Sequence, residues 1–168
     1  MNFGIAAFPS KKLQDIVNSY RKRYDPHYSL IPPHMTLKSP FKVEEKEIEK
    51  VVGKLKETAA SSSAFPLEIL KVSTFQPVNN VIYLKVAPNE AIGKLHQGIM
   101  EIIPEGQTDL PYIPHITLAQ KLSDDEHSDV LGQVSFLNLR HEETIDRFHL
   151  LYQLEDGSWT VYETFHLA

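Results

Sequence analysis

The segment Pro33-His34-Met35-Thr36-Leu37 recurs in the second half of the chain as Pro114-His115-Ile116-Thr117-Leu118. In both copies polar and apolar residues alternate, which is the pattern of a β-strand with one buried face. Alternation places the histidine and the threonine of each copy on one face and the apolar residues in the core. Repetition of a five-residue context in a chain of 168 residues indicates a duplicated structural unit.

The surroundings of the two copies repeat as well. Each copy follows a proline-containing loop, at Asp25–Pro33 and at Pro104–Pro114, and each loop follows a predicted strand and helix. A unit that occurs twice predicts two similar lobes about a pseudo-two-fold axis, because a solenoid needs at least three repeats. No linker separates the lobes, so we predict a single α+β domain over residues 1–168.

Hydrophobic periodicity predicts the remaining elements. The predicted helices are Lys11–Tyr24 with Ser10 as its N-cap, Glu44–Ala60, Pro88–Ile103, and Ser123–Leu131 ending near Gly132. The predicted strands are Phe3–Phe8, Phe65–Phe75, Asn80–Val86, Val134–His141, Thr144–Leu154 and Trp159–Leu167.

The composition of the chain excludes several classes of protein. A formal net charge of −5 argues against avid binding of long nucleic acid, which needs a concentrated basic face, but not against a pocket for one phosphate. The absence of cysteine excludes disulfides and thiolate chemistry and agrees with a reducing compartment. No apolar run approaches the ~18–20 residues that span a bilayer. We expect a cytoplasmic protein that does not bind membranes.

The two histidines and two threonines suit acid–base chemistry at a phosphate. One imidazole can accept a proton while the other donates one, because its ordinary pKa near ~6.5 allows both states. Threonine hydroxyls can donate hydrogen bonds to the phosphate oxygens. The other histidines lack the spacing of metal ligands, and no His-Glu-x-x-His segment occurs, so we expect neither a metal nor a cofactor.

These paired motifs resemble those of the 2H phosphoesterase superfamily, in the branch of 2′-5′ RNA ligase-like proteins and RNA cyclic phosphodiesterases. The resemblance implies a bilobal α+β fold in which antiparallel sheets line a cleft and helices lie outside. It also implies metal-independent action on 2′,3′-cyclic or 2′-5′ phosphodiesters. By the same resemblance His34 is the proton donor, His115 the proton acceptor, and Thr36 and Thr117 bind phosphate. The residues themselves leave the acid and base assignment open, because the two motifs are nearly equivalent.

Three positions beside the motifs have two interpretations each. Many relatives continue the first motif with Phe-Leu-Gly, whereas here Lys38-Ser39-Pro40-Phe41 follows. Alternation places Lys38 on the face of the histidines, where it either charges the cleft or ends the strand in solvent. Tyr112 and Phe41 either stack on a base or pack in the core. Phe75 and Tyr83 are predicted to be core residues.

The predicted function is that of a phosphodiesterase acting on a small nucleotide or an RNA terminus. Two alternatives stay open: RNA 2′-5′ ligation as the biological reaction, and a nucleotide- or RNA-binding module without turnover. The sequence does not indicate an oligomeric state.

Overall fold

A computed structural model describes residues 1–106 and 110–168, so residues 107–109 of the predicted loop Pro104–Pro114 lie outside the described part. The strands in this part of the chain are β1 Asn2–Ala7, β2 Met35–Lys42, β3 Phe65–Thr74, β4 Ile82–Val86, β5 His115–Ala119, β6 His141–Ile145, β7 Arg147–Gln153 and β8 Trp159–His166. The α-helices are α1 Lys11–Tyr24, α2 Ile48–Ala60 (after a 3-10 turn at Glu45–Glu47), α3 Glu90–Ile102 and α4 Asp124–Val134.

The strands form one antiparallel sheet in the order β6-β3-β4-β5-β2-β1-β7-β8. Its two four-stranded halves meet where β5 pairs with β2, and the pair that joins them is Met35 with Ile116. The predicted α+β fold with two pseudo-symmetric lobes is therefore confirmed. The two halves are continuous through this single junction, and the whole sheet forms a half-barrel.

Helices α1 and α3 each connect two strands of one half of the sheet and pack on the central strand of the other half. Helix α1 leads from β1 to β2 but packs on β5, whereas α3 leads from β4 to β5 but packs on β2. Leu13 and Val17 of α1 and Leu95 and Ile99 of α3 are fully buried in one continuous core. This exchange of helices ties the two lobes together and fixes the two motif strands side by side.

Polar caps explain where these helices begin. The Ser10 side chain accepts a hydrogen bond from the Leu13 N–H, as predicted, and Asn89 does the same for the Ile92 N–H at the start of α3. Ser123 and Glu126 form a reciprocal capping box at the start of α4. Each cap satisfies a backbone donor that the first helical turn leaves without a partner.

One predicted strand, Val134–His141, is wrong. Helix α4 runs through Gly132 to Val134, because Val130 and Val134 lie on the buried side of the helix. The chain then turns, leaves Phe136 88% exposed, and starts β6 at His141. The predicted strand Thr144–Leu154 is two strands, because β6 ends at Ile145 in its pairing with β3, whereas β7 begins at Arg147 and pairs with β1. The chain therefore passes from one half of the sheet to the other at Asp146.

Candidate active site

The two motifs lie on the adjacent central strands. Because β2 and β5 are antiparallel and Met35 faces Ile116, this register sets His34 opposite Thr117 and Thr36 opposite His115. Side chains opposite each other in such a ladder have Cβ atoms about 5 Å apart, and diagonal neighbours about 7–8 Å. The histidines are the diagonal pair, so this register leaves space between the two rings for one small anion, with a threonine beside each ring. We call the side of the sheet that carries these four residues the histidine face.

The two imidazole rings are oriented by the same contact. Nδ1 of His34 lies 2.8 Å from the Pro32 carbonyl, and Nδ1 of His115 lies 2.8 Å from the Ile113 carbonyl. A carbonyl oxygen only accepts, so each Nδ1 carries the proton. In the neutral rings Nε2 is then the acceptor, which leaves one equivalent nitrogen per histidine for a ligand.

Burial lowers the pKa of both histidines. It brings the pKa of His34 down from 6.5 to about 4, opposed by the contact with the Pro32 carbonyl and reinforced by the charges of Arg21 and His115. Burial also lowers the pKa of His115, opposed by the Ile113 carbonyl. Both rings are therefore neutral at pH 7 in the free protein. A bound phosphate anion would favour their charged forms.

Phe75 and Tyr83, predicted as core residues, pack against the ring of His115. The ring centroids lie 4.9 Å and 5.2 Å from that of His115, in edge-to-face arrangements, while Phe75 and Tyr83 stack on each other at 4.1 Å. Tyr83 is opposite Thr117 in the β4–β5 pairing. The sequence does not indicate this contact, because β4 meets β5 only after the chain has passed through α3.

Two cavities open beside the motifs. One of about 420 Å³ adjoins His34, Thr36 and Thr117 and continues over β1 to Trp159. The other, of about 760 Å³, adjoins His115 and Thr36 and is lined largely by apolar side chains of α3 and of the loop before β5. The site therefore has space for a group on either side of a central phosphate.

Lys38 separates the two cavities and is only 5% exposed. The interpretation of Lys38 as a solvated strand end is therefore wrong. The β1–β2 pairing slips by one residue between Thr36 and Lys38, and Lys38 still lines both cavities together with Thr36. The ammonium donates to the Glu105 carbonyl, which ties β2 to the segment that follows α3. Burial lowers the pKa of Lys38.

Tyr112 joins the loop before the second motif to the first motif. Its hydroxyl donates to the Thr36 carbonyl at 2.7 Å, and its ring stacks on His96 at 3.9 Å with an interplanar angle of 6°. Burial raises the pKa of the Tyr112 hydroxyl. Tyr112 lines the larger cavity, while Phe41 is fully buried against Phe3 and is a core residue.

Replacing Tyr112 with phenylalanine removes this cross-motif hydrogen bond and leaves the stacked ring in place. We expect the free energy of unfolding to fall by about 0.5–1.5 kcal/mol, because the Thr36 carbonyl loses a partner. Urea unfolding measures the change, with Tyr28→Phe at an exposed position as the matched control. Equal stability of the two variants would contradict a tie between the motifs.

A buried polar cluster closes the His34 cavity at its inner end. Arg21 of α1 forms an ion pair at 3.0 Å with Asp25, the C-cap of the helix, and both side chains are at most 2% exposed. Asp25 also accepts from the His27 N–H and from the Gln120 side chain at 2.9 Å. This cluster was not predicted from the sequence, although Arg21 follows Leu13 and Val17 at the i, i+4 spacing of the buried stripe of α1.

Within residues 1–106 and 110–168, no three His, Cys, Asp or Glu side chains converge in a way that could hold a metal ion. None of the helices in these ranges is long and apolar enough to cross a membrane.

Comparison with known proteins gives matches that cover most or all of the chain. A sequence model described as the 2′-5′ RNA ligase superfamily matches residues 8–157. A "Putative phosphoesterase" from Bacillus pumilus (strain SAFR-032) is 59% identical over 168 residues, covering 100% of this chain and 98% of the relative. Another, from Geobacillus sp. (strain WCH70), is 53% identical over 165 residues, covering 98% of this chain and 95% of the relative.

Solved structures share the fold at low identity. The crystal structure of E. coli LigT complexed with 3′-AMP superimposes with a TM-score of 0.73 at 15% identity, covering 99% of this chain and 98% of that one. A protein from Thermus thermophilus gives a TM-score of 0.71 at 20% identity, with the same coverage.

Proposed function

The chain belongs to the 2′-5′ RNA ligase superfamily of 2H phosphoesterases, and from that premise we propose that it hydrolyses a phosphodiester without a metal ion. The proposed substrate is a 2′,3′-cyclic or 2′-5′ phosphodiester of a small nucleotide or an RNA end. The observation that carries the proposal is the register of β2 against β5, which sets each histidine opposite the threonine of the other motif.

The proposed reaction uses one proton transfer at each histidine. Water attacks phosphorus, and His115 Nε2 accepts its proton as the new P–O bond forms. The P–O bond to the ribose oxygen breaks, and His34 Nε2 donates a proton to that oxygen. Thr36 and Thr117 donate hydrogen bonds to the non-bridging oxygens, where negative charge is concentrated. A cyclic substrate gives a nucleoside monophosphate, and the two histidines exchange their protonation states.

Two further observations support this proposal. The relatives named above are described as phosphoesterases, and solved LigT structures hold 3′-AMP, ATP and NADP⁺. Here the two cavities flank the paired motifs, so a nucleotide phosphate bound between the histidines has space for its attached groups.

The assignment of His34 as donor makes a prediction about the leaving group. A substrate whose leaving oxygen has a low pKa, such as an aryl phosphodiester, needs no protonation of that oxygen. We therefore expect His34→Ala to regain most of its lost activity on the aryl substrate, whereas His115→Ala stays inactive because it lacks the acceptor. The ratio of kcat/KM on aryl and alkyl substrates measures the effect. If His115→Ala regained activity on the aryl substrate and His34→Ala did not, His115 would be the proton donor and His34 the acceptor.

The lowered histidine pKa values predict a pH profile. The productive free protein carries one protonated and one neutral histidine, and both pKa values lie below the usual 6.5, that of His34 at about 4. The kcat/KM profile is therefore expected to be bell-shaped with its maximum below pH 6.5. The maximum of kcat should lie at higher pH, because the bound phosphate anion raises both pKa values. Coincident maxima would contradict this account.

The experiment that tests the proposed function is an assay on 2′,3′-cyclic nucleotides and 2′-5′-linked dinucleotides in excess chelator. Hydrolysis that is unaffected by chelator is the expected result, and its loss would contradict the metal-independent mechanism. Net joining of RNA ends under the same conditions would favour the ligase alternative. Tight nucleotide binding without turnover would favour the binding module.

A further inference from the structure

The two lobes differ on the histidine face beside the motifs. Next to the second motif, β4 sets Tyr83 opposite Thr117, and the stacked pair of Tyr83 and Phe75 fills that space. Next to the first motif, β1 sets Ala6 opposite Thr36. Pseudo-symmetry thus relates a tyrosine to an alanine, and the smaller residue opens the cavity of about 420 Å³ beside His34.

Trp159 forms the outer wall of this cavity. It lies at the start of β8 opposite Gln153, and a Cβ atom built on Gly4 would lie 3.6 Å from the far edge of its indole ring. The indole therefore reaches from β8 across β7 to β1. Leu151 and Pro40 also line the cavity, so its outer part is apolar and includes one broad aromatic side chain.

We propose that this cavity binds the heteroaromatic base of the nucleoside whose phosphate lies between the histidines, with the base packed on Trp159. The inference rests on the proposed function, which supplies the phosphate position. Gly4 is two residues before Ala6 on β1, a distance of about 7 Å, which leaves room for a ribose between the phosphate and the base. The volume lies within the ~300–1,000 Å³ of small-molecule sites.

Gln153 supplies a polar edge for the base. Its amide is held by Asn2, which donates to Oε1 at 3.3 Å, and by the Gly157 carbonyl, which accepts from Nε2 at 3.1 Å. An amide has two donors and two acceptor positions, so each end retains one for a ligand. Gln153 is in this account a specificity-determining residue, and Trp159 provides the stacking surface.

Trp159 is the single tryptophan of the chain, so tryptophan fluorescence, excited where tyrosine does not absorb, reports on this cavity alone. We expect nucleoside 2′- and 3′-monophosphates to change the fluorescence of the wild-type protein in a saturable way. Ribose 5-phosphate and inorganic phosphate, which lack a base, should compete for the site without that change. This measurement requires no turnover.

Gly4→Leu fills the cavity without touching the histidines. We expect it to weaken nucleotide binding about tenfold or more, as loss of base stacking would, and to leave the binding of inorganic phosphate unchanged. Gly53→Leu introduces the same side chain on the exposed face of α2, where a Cβ meets nothing within 4 Å, and is the matched control. Trp159→Leu, followed by calorimetry, should show the same selective loss if Gly4→Leu does not fold.

The outcomes separate this inference from the proposed function. Nucleotide binding with unchanged Trp159 fluorescence, or with wild-type affinity in Gly4→Leu, would overturn the base site. No fluorescence change at millimolar nucleotide would overturn it as well. A fluorescence change in a protein that hydrolyses no phosphodiester would leave the base site standing and refute the hydrolytic function.

Discussion

Replacement of His34 or His115 with alanine is expected to lower kcat/KM by about 10²–10⁴-fold, because each ring performs one of the two proton transfers. The double variant should lose little more than the worse single variant, since groups that act in one step are strongly non-additive. Steady-state kinetics on a 2′,3′-cyclic nucleotide, under the chelator conditions given above, measures all three proteins.

The matched control for these variants is His166→Ala. This histidine is exposed at the end of β8 and contributes nothing to the paired motifs. We expect wild-type kcat/KM for it. If the double variant instead lost the product of the two single effects, the histidines would act independently, and the single shared site would be wrong.

Replacement of Arg21 with alanine is expected to lower the free energy of unfolding by about 3–5 kcal/mol, because the change leaves the Asp25 carboxylate buried without its partner. This is a large part of the ~5–15 kcal/mol that typically stabilises a domain. The Asp25 carboxylate also holds the loop that precedes His34, through the His27 N–H and Gln120. The midpoint of urea unfolding should therefore fall sharply.

Helix α1 provides its own control for this prediction. Lys11 and Asp15 form a second i, i+4 ion pair at 3.0 Å, but their side chains are 86% and 63% exposed. Lys11→Ala should have little effect, because exposed ion pairs are screened by solvent. An apolar double replacement, Arg21→Met with Asp25→Leu, should recover most of the stability that Arg21→Ala loses. Equal effects of Arg21→Ala and Lys11→Ala would show that burial of the pair contributes nothing.

The paired motifs were predictable because alternation and duplication are local properties of the sequence. The strand at His115–Ala119, the helix at Lys11–Tyr24 and the two-lobed α+β fold follow from such patterns and agree with the structure. The direct pairing of β2 with β5, which brings the motifs together, was not predicted, because duplication indicates two similar lobes but not which strands join them.

The remaining parts of the site depend on contacts between distant segments. Phe75 and Tyr83 look like ordinary strand residues until β4 pairs with β5, which brings their rings onto His115. Trp159 reaches Gly4 only because β7 and β8 continue the sheet beyond β1. Lys38 is buried where the segment after α3 meets β2, and its ammonium donates there to the Glu105 carbonyl. No local periodicity encodes these features.

The failed prediction at Val134–His141 has a similar origin. An apolar alternation in this segment favoured a strand, but the capping box at Ser123 starts a helix whose buried stripe includes Val130 and Val134. That helix packs on the core and ends at Val134. Within the described part of the chain, the segment after it pairs with no strand until His141, where β6 begins and pairs with β3.

The most direct test of the central claim is an NMR titration of the His34 and His115 ring protons with and without a nucleoside 3′-monophosphate. In the free protein both histidines should titrate below 6.5, His34 with a pKa of about 4. One bound phosphate is predicted to raise both pKa values together, with a single dissociation constant and one ligand per chain. A rise in the pKa of only one histidine, or rises that saturate with different dissociation constants, would contradict a phosphate shared between the two motifs.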